Sequence, residues 1–323
     1  MRRFLVKLGI TALFLLAVAC ALDVVITHNL KHSDARMFHT YNAIYSDTLK
    51  CDAVVMGSSR GQVQYDVRIL DSIAGINCYN LGVDGRCIDA EVVIYNTYRQ
   101  HASKPRLIIQ NIDWGTLQMS NGYEREQYLP YLNKDDLYEL TRKSEKFSWA
   151  DRWLPLKRYA GYHNVIFEGL GLSAKMARPN NIYKGYIAVD ETWNGIAFDK
   201  IDTIGFESDP EAVAIFDHYL AQCRKECVQV VMVFAPFYIG ATHKMGLAED
   251  SMFALYQSFA DKYNYPILNY THDSICYDTQ NFYNASHLNR HGAKLFSSKL
   301  AKDLIKLLDT LPIYYGDTQN TTH

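Results

Sequence analysis

Five short apolar runs, separated by stretches of helical periodicity, constrain this chain's fold more than any other feature. The first, Ala53-Val54-Val55-Met56, stops at Gly57-Ser58-Ser59, the way a buried strand meets a turn. "INCYNLGVDGR" (76–86), "PRLIIQNIDW" (105–114), "VQVVMVFAPF" (228–237) and "YPILNY" (265–270) repeat the pattern. Between the runs, Asp66 ahead of Val67, Ile69, Leu70 and Ile73 predicts an N-capped helix. Residues 89–101, a stretch beginning near Asp209, and 246–263 read as further helices. From about Asn289 to Leu308, apolar residues recur at helical spacing, with Asn289 a candidate cap. Strands alternating with helices predict a three-layer α/β/α sandwich around a central parallel sheet. In such sheets, functional residues gather beyond the carboxyl ends of the strands.

Between Gly115 and Phe206 the alternation fails. The stretch is rich in Tyr, Trp and charge, holds candidate helices such as "KDDLYELTRKSE", and is too long for a structureless loop. It reads as a mostly helical insertion at about 115–206 that packs over the sheet's active edge, within a domain spanning 27–312. Residues 27–50 form a polar stalk into that domain, and 313–323 read as a flexible tail.

At the N-terminus, Arg2, Arg3 and Lys7 precede an uncharged apolar run from Leu8 to Leu22, which Val24 to Ile26 extend past Asp23. Basic residues on the leading side predict a cytoplasmic start and export of the rest. The run suffices to cross a bilayer if Asp23 sits at the interface. Residues 1–26 therefore read as a membrane anchor or signal segment. Ala17-Val18-Ala19 also resembles a cleavage site, and Cys20 a lipoprotein-type cysteine. All three readings place the domain outside the cytoplasm, in a periplasm or at the cell surface.

A formal net charge of −2 over 323 residues gives no basic bias toward nucleic acid. No His-rich or H-E-x-x-H spacing points to a metal, and no cofactor is implied. Apart from Cys20, the cysteines are Cys51, Cys78, Cys87, Cys223, Cys227 and Cys276; without paired C-x-x-C motifs they read as structural thiols. The 24 tyrosines, many of them mid-chain, read first as packing residues and second as a sugar-binding surface.

The residues with chemistry to offer stand at the ends of the predicted strands. Ser59 follows the first, Gly85 the second, and Asn111 and Asp113 the third; His287 precedes the final helix. Serine needs a base to become a nucleophile near neutral pH, and His is the side chain suited to that exchange. The base needs a partner that fixes its tautomer, and Asn284, three residues earlier, offers a carbonyl oxygen. Backbone N–H groups in glycine-rich turns can hold an oxyanion. Each piece alone has a plainer reading, a turn for Gly-Ser-Ser and a helix entry for "HLN"; all of them in this order, each at a strand end, carry more weight.

The order and context resemble the blocks of SGNH hydrolases, also called GDSL-type esterases, which implies their flavodoxin-like sandwich. Gly57-Ser58-Ser59-Arg60 resembles the first block, with Ser59 at the nucleophile and Ser58 where Asp is common. Asn80-Leu81-Gly82-Val83-Asp84-Gly85 resembles the second, whose final glycine donates its amide to the oxyanion. Asn284-Ala285-Ser286-His287 resembles the Asp-x-x-His block, and the helix after it is similar to that of membrane-anchored members acting on bacterial envelope polymers. The resemblance covers residues 51–114 and about 209–308. It departs at Asn284, where Asp is usual, leaving Asp278 as an alternative third member. It departs again at Gln110-Asn111-Ile112-Asp113, where Gly-x-Asn-Asp is usual. An ionised Asp113 would repel an oxyanion, so Asn111 is the expected donor, with Asp113 or Trp114 shaping the pocket.

What the resemblance implies is a serine esterase or O-acyltransferase acting on acyl esters, acetyl among them, of a cell-envelope glycan. Ser59, His287 and Asn284 would form the catalytic set, and the Ser59 and Gly85 amides with Asn111 the oxyanion hole. Transfer would require a membrane partner that delivers the acyl group. The alternative is a catalytically weak SGNH-fold protein that binds glycan or scaffolds an envelope complex.

Overall fold

A computed structural model describes residues 1–120, 125–142, 145–172, 182–195 and 205–310. The predicted tail 313–323 and parts of the stretch between Gly115 and Phe206 lie outside the described residues. The chain divides into two compact units, Met1–Asp47 with Gly122–Pro179, and Thr48–Asn121 with Asn180–His323.

The second unit is built on five strands: β1 Ala53–Met56, β2 Cys78–Asn80, β3 Leu107–Asn111, β4 Gln229–Phe234 and β5 Ile267–Asn269. They hydrogen-bond in the order β2-β1-β3-β4-β5, and every neighbouring pair is parallel. This is the flavodoxin-like order of a doubly wound sheet. Its winding reverses between β1 and β3, the switch point outside which such sheets bind ligands. All residues of β1 to β4 are buried, as expected of strands covered on both faces.

Side chains alternate across the sheet. Ala53, Val55, Leu107, Ile109, Val231 and Val233 share one cluster with Leu70, Phe296, Leu300 and Leu304, from the helices Val67–Ala74 and Arg290–Leu308. Phe234, on the other face, meets Phe253 and Tyr256 of the helix Leu247–Tyr263 edge-on. Each buried Leu or Phe contributes roughly 1.5–3 kcal/mol. The helices start where their caps dictate. Asp66 accepts from the Arg68 N–H, Asp209 from Glu211 N–H with Pro210 in the first turn, and Asn289 from Gly292 N–H.

In the first unit, the helix Arg2–Lys31 is, among the described residues, the one long and apolar enough to cross a membrane. Its last third packs on residues 125–142 and 145–172, which form short helices such as Asp135–Thr141, Trp149–Trp153 and His163–Gly169. Thr27 shares a hydrogen bond with Tyr159 (2.7 Å), and Asn29 donates to the Gly169 carbonyl (2.7 Å). Tyr45 stacks on Tyr131 at 4.2 Å, and Tyr41 meets Tyr128 edge-on.

Tyrosine therefore serves packing in both units. Tyr41, Tyr128, Tyr131 and Tyr159 are buried in the first, and Tyr65, Tyr95, Tyr186, Tyr219 and Tyr256 in the second. Those of them that fall mid-chain offer no surface to a sugar. The seven cysteines are free thiols, with Cys51, Cys78, Cys223 and Cys276 buried.

Candidate active site

The end of β1 turns sharply into the helix Ser59–Gln64. Gly57 makes the turn with φ +148°, and a Cβ there would stand 2.8 Å from that of Asn111. Only glycine fits both demands. The turn after β2 approaches as closely, since a Cβ on Gly82 would lie 2.5 Å from the Gln62 nitrogen. Asn80 ties the two together: its amide donates to the Gly61 and Tyr65 carbonyls, and its oxygen accepts from Gly82 N–H. Ser59 is thereby fixed at the switch point of the sheet.

His287 arrives from the far end of the chain on a small hairpin. Phe282–Asn284 pairs antiparallel with His287–Leu288, so Asn284 and His287 face each other across a two-residue loop. The Asn289 amide holds the hairpin to the last helix by donating to the Gln280 and Phe282 carbonyls. His287 Nε2 lies 2.7 Å from Ser59 Oγ, and its Nδ1 lies 2.9 Å from Asn284 Oδ1. Asn284 Oδ1 also accepts from the Ser286 N–H (3.0 Å) and Oγ–H (3.2 Å), and Ser286 Oγ itself lies 2.9 Å from His287 Nδ1. A flipped amide would turn an NH₂ toward the Ser286 N–H, so these bonds keep the carbonyl oxygen facing the ring. The proton then belongs on Nδ1, and Nε2 is left to accept from Ser59. That is the tautomer of a general base.

A cleft of about 260 Å³ opens around these groups, lined by Ser58, Ser59, Gly85, Asp113, Trp114 and His287 among others. Its wall is stiff. The Arg60 guanidinium, wholly buried, pairs with Asp113 (3.3 Å) and donates to Gln64 Oε1 and the Ala235 and Pro236 carbonyls. Its Cζ stands 3.3 Å from the centre of the Phe237 ring, on which Trp114 stacks at 4.4 Å. Asp113 also accepts from Asn111 Nδ2 (3.1 Å) and Gly115 N–H (2.8 Å). The carboxylate at the cleft is therefore offset by a cation and two neutral donors.

Burial favours the protonated form of two other groups, Cys87 in the cleft's lining and Glu91 beneath Gln110. Burial pushes the Cys87 thiol up to about 11, with Glu91 and Asp89 adding to it, so this cleft-lining cysteine offers no thiolate near neutral pH. Burial likewise pushes the Glu91 carboxyl up to about 8, against the hydrogen bond it accepts from Gln110 (2.8 Å).

The structure brings Ser59, His287, Asn284, Gly85, Asp113 and Trp114 to one place. It does not bring Asn111. That residue is the last of β3, still paired with Val233 of β4, and is fully buried. Its oxygen accepts from the Tyr65 hydroxyl (2.9 Å) and its amide serves Asp113. Asp278 is also elsewhere: it is exposed, and its carboxylate caps the turn Thr279–Asn281. Sequence reasoning assigned no role to Arg60, Asn80 or Ser286. The only signal for Arg60 was a charge directly after the candidate nucleophile.

No family model and no curated protein matches this sequence. Solved structures do. A lipase/acylhydrolase from Enterococcus faecalis is 12% identical with a TM-score of 0.41, over 80% of this chain and 96% of that one. An acetylxylan esterase from Geobacillus stearothermophilus is 10% identical with a TM-score of 0.39, over 80% and 94%. A lipolytic protein of the G-D-S-L family from Desulfitobacterium hafniense is 10% identical with a TM-score of 0.38, over 78% and 98%. Likeness at this level carries nothing about substrate.

Proposed function

We propose that this chain is a membrane-anchored, extracytoplasmic serine esterase or O-acyltransferase of the SGNH (GDSL-like) kind, acting on small acyl esters of a cell-envelope glycan. The observation that carries the reading is the continuous hydrogen-bonded line from Ser59 Oγ through both ring nitrogens of His287 to Asn284 Oδ1. In this scheme Ser59 Oγ attacks the ester carbonyl and His287 Nε2 takes its proton. The imidazolium is steadied by Asn284 and Ser286, and the oxyanion by the N–H groups of Ser59 and Gly85. His287 then returns the proton to the departing sugar hydroxyl, leaving an acyl-serine. Water resolves it in an esterase; in a transferase the bond attacked is that of a membrane acyl donor, the donor's own group takes the proton and leaves, and a sugar hydroxyl, deprotonated by His287, resolves the acyl-serine. A cleft of about 260 Å³ is at the small end for ligand sites and favours an acetyl-sized group.

A second reading is a glycan-binding or scaffolding protein with weak catalysis. It is favoured by the neutral Asn284 and by the absence of Asn111 from the cleft. The test is the O-acyl content of the envelope glycan in cells carrying Ser59→Ala at normal protein level. The enzyme reading expects that content to change by as much as deletion of the whole chain changes it. An unaltered content, with deletion still showing its effect, would hand the protein to the second reading.

A further inference from the structure

Beyond the N-terminal helix, the first unit exposes Phe167, Leu172 and a group of three large apolar side chains close together in the chain. Trp149, Trp153 and Leu154 are 64%, 56% and 47% exposed. The two tryptophans stand one turn apart on the helix Trp149–Trp153 and share a face, with Leu154 next in the chain. Lys157, half exposed and 3.9 Å from Asp151, adds a positive charge to the same segment, and the Arg152 guanidinium, paired with Asp135, lies over the Trp153 ring at 4.7 Å.

This segment is tied to the N-terminal helix at a defined height. The Leu156 N–H donates to Asp23 Oδ1 (2.9 Å), and Arg158 pairs with Asp23 Oδ2. Asp23 is the first charge after Lys7, sixteen residues earlier. That distance is ~24 Å along a helix, less than the ~30 Å hydrocarbon core of a bilayer. With Lys7 at one boundary, Asp23 lies at the other or just inside it, where a charge is tolerated if paired. Asp23 and Arg158 satisfy that condition, with side chains 13% and 9% exposed. Whatever is bonded to Asp23 shares its depth. Three residues of chain reach at most ~11 Å. Trp153 and Leu154 therefore fall in the belt where headgroups meet acyl chains, the zone in which tryptophan concentrates.

We propose that Trp149, Trp153 and Leu154 form a seat that inserts into the headgroup–acyl boundary of the bilayer crossed by the N-terminal helix. Lys157 meets the anionic headgroups around it. The helix alone would leave the first unit free to rock about a single tether. The seat makes a second attachment and sets the unit's depth and tilt. The proposal rests on the anchor reading and is independent of the ester chemistry.

The chain has four tryptophans, Trp114, Trp149, Trp153 and Trp193. The test reconstitutes the full chain in vesicles of zwitterionic and anionic phospholipid, some brominated near the top of the acyl chain and others near its end. Bromines near the top should quench roughly half of the tryptophan emission, two of the four rings. Bromines near the chain end should quench less. The Trp149→Phe/Trp153→Phe double variant, with an unchanged circular dichroism spectrum, should lose the quenchable share. Emission untouched by either lipid, in protein that floats with the vesicles, would overturn the seat and leave the patch to a protein partner. Quenching that persists in the double variant would overturn it too. A chain that does not float would remove the anchor and the seat together.

Discussion

Replacing Asn284 by Asp perturbs the site at one atom and has a computable sign. In the native chain, the imidazolium formed during attack would be steadied by a neutral carbonyl oxygen 2.9 Å from Nδ1. A carboxylate placed there keeps the bond from Ser286 N–H and adds a full negative charge. Hydrogen bonds to charged groups contribute about 1.5–3 kcal/mol against about 0.5–1.5 for neutral ones. The gain of about 1–1.5 kcal/mol falls on the transition state, where the ring takes up the proton and its charge, and corresponds to a rise of roughly tenfold in kcat. The assay is hydrolysis of a small chromogenic acetyl ester across pH. The acid limb of the rate profile should move to higher pH as the new carboxylate favours the protonated ring. Asn284→Ala should lower the rate, because it leaves the imidazolium steadied by Ser286 alone. Asp278→Asn should change nothing. A rate that Asn284→Asp leaves unaltered while Asp278→Asn abolishes it would refute the assignment and make Asp278 the third member.

Arg60→Ala should destabilise the second unit by about 3–5 kcal/mol, because it strands the buried Asp113 carboxylate; thermal unfolding reads this. Arg60→Met with Asp113→Asn should recover the part of the loss that comes from the stranded carboxylate, and failure to recover any of it would place the loss in the bonds Arg60 makes to Gln64 and the Ala235 and Pro236 carbonyls. Glu91 gives a pH signature. Its folded-state value, about 8, lies above its unfolded one, so the folded chain binds more protons between them and stability falls as pH rises from the ordinary carboxylate range through about 8. Glu91→Gln should flatten that slope and raise Tm more above pH about 8 than at mildly acidic pH; an identical slope in the variant would rule Glu91 out as its source. For topology, protease added to cells with a permeable outer layer should digest the domain, and a chain found intact in the cytosolic fraction would remove the export reading.

Much of this arrangement is legible in the sequence because it depends on local pattern. Uncharged runs closed by turns give the strands, and Asp66 and Asn289 mark helix entries by their place ahead of apolar periodicity. Ser59 and His287 are readable because a parallel sheet gathers strand ends at one edge. What failed did so for a physical reason. Asn111 and Asp113 are two residues apart, but the first is still in the ladder with Val233, whereas the second lies past the strand's end and reaches the cleft. A strand's last paired residue cannot be located from propensity alone. The Arg60–Asp113 pair joins residues 53 positions apart, and no periodicity reports it. Nor does composition reveal that residues 1–47 form a compact unit with 122–179, since that depends on contacts made across the intervening strands of the sequence.

If Ser59 is a nucleophile activated by His287, covalent labelling should find it. The full chain, treated with a fluorophosphonate at neutral pH and digested, should carry the phosphonate on the Ser59 peptide. Ser59→Ala should carry none, and His287→Ala should label at least a hundredfold more slowly, within the roughly 10²–10⁴ range expected for loss of a general base. An unlabelled Ser59 in folded protein, or labelling as fast in His287→Ala as in the native chain, would mean that Ser59 is not a nucleophile activated by His287.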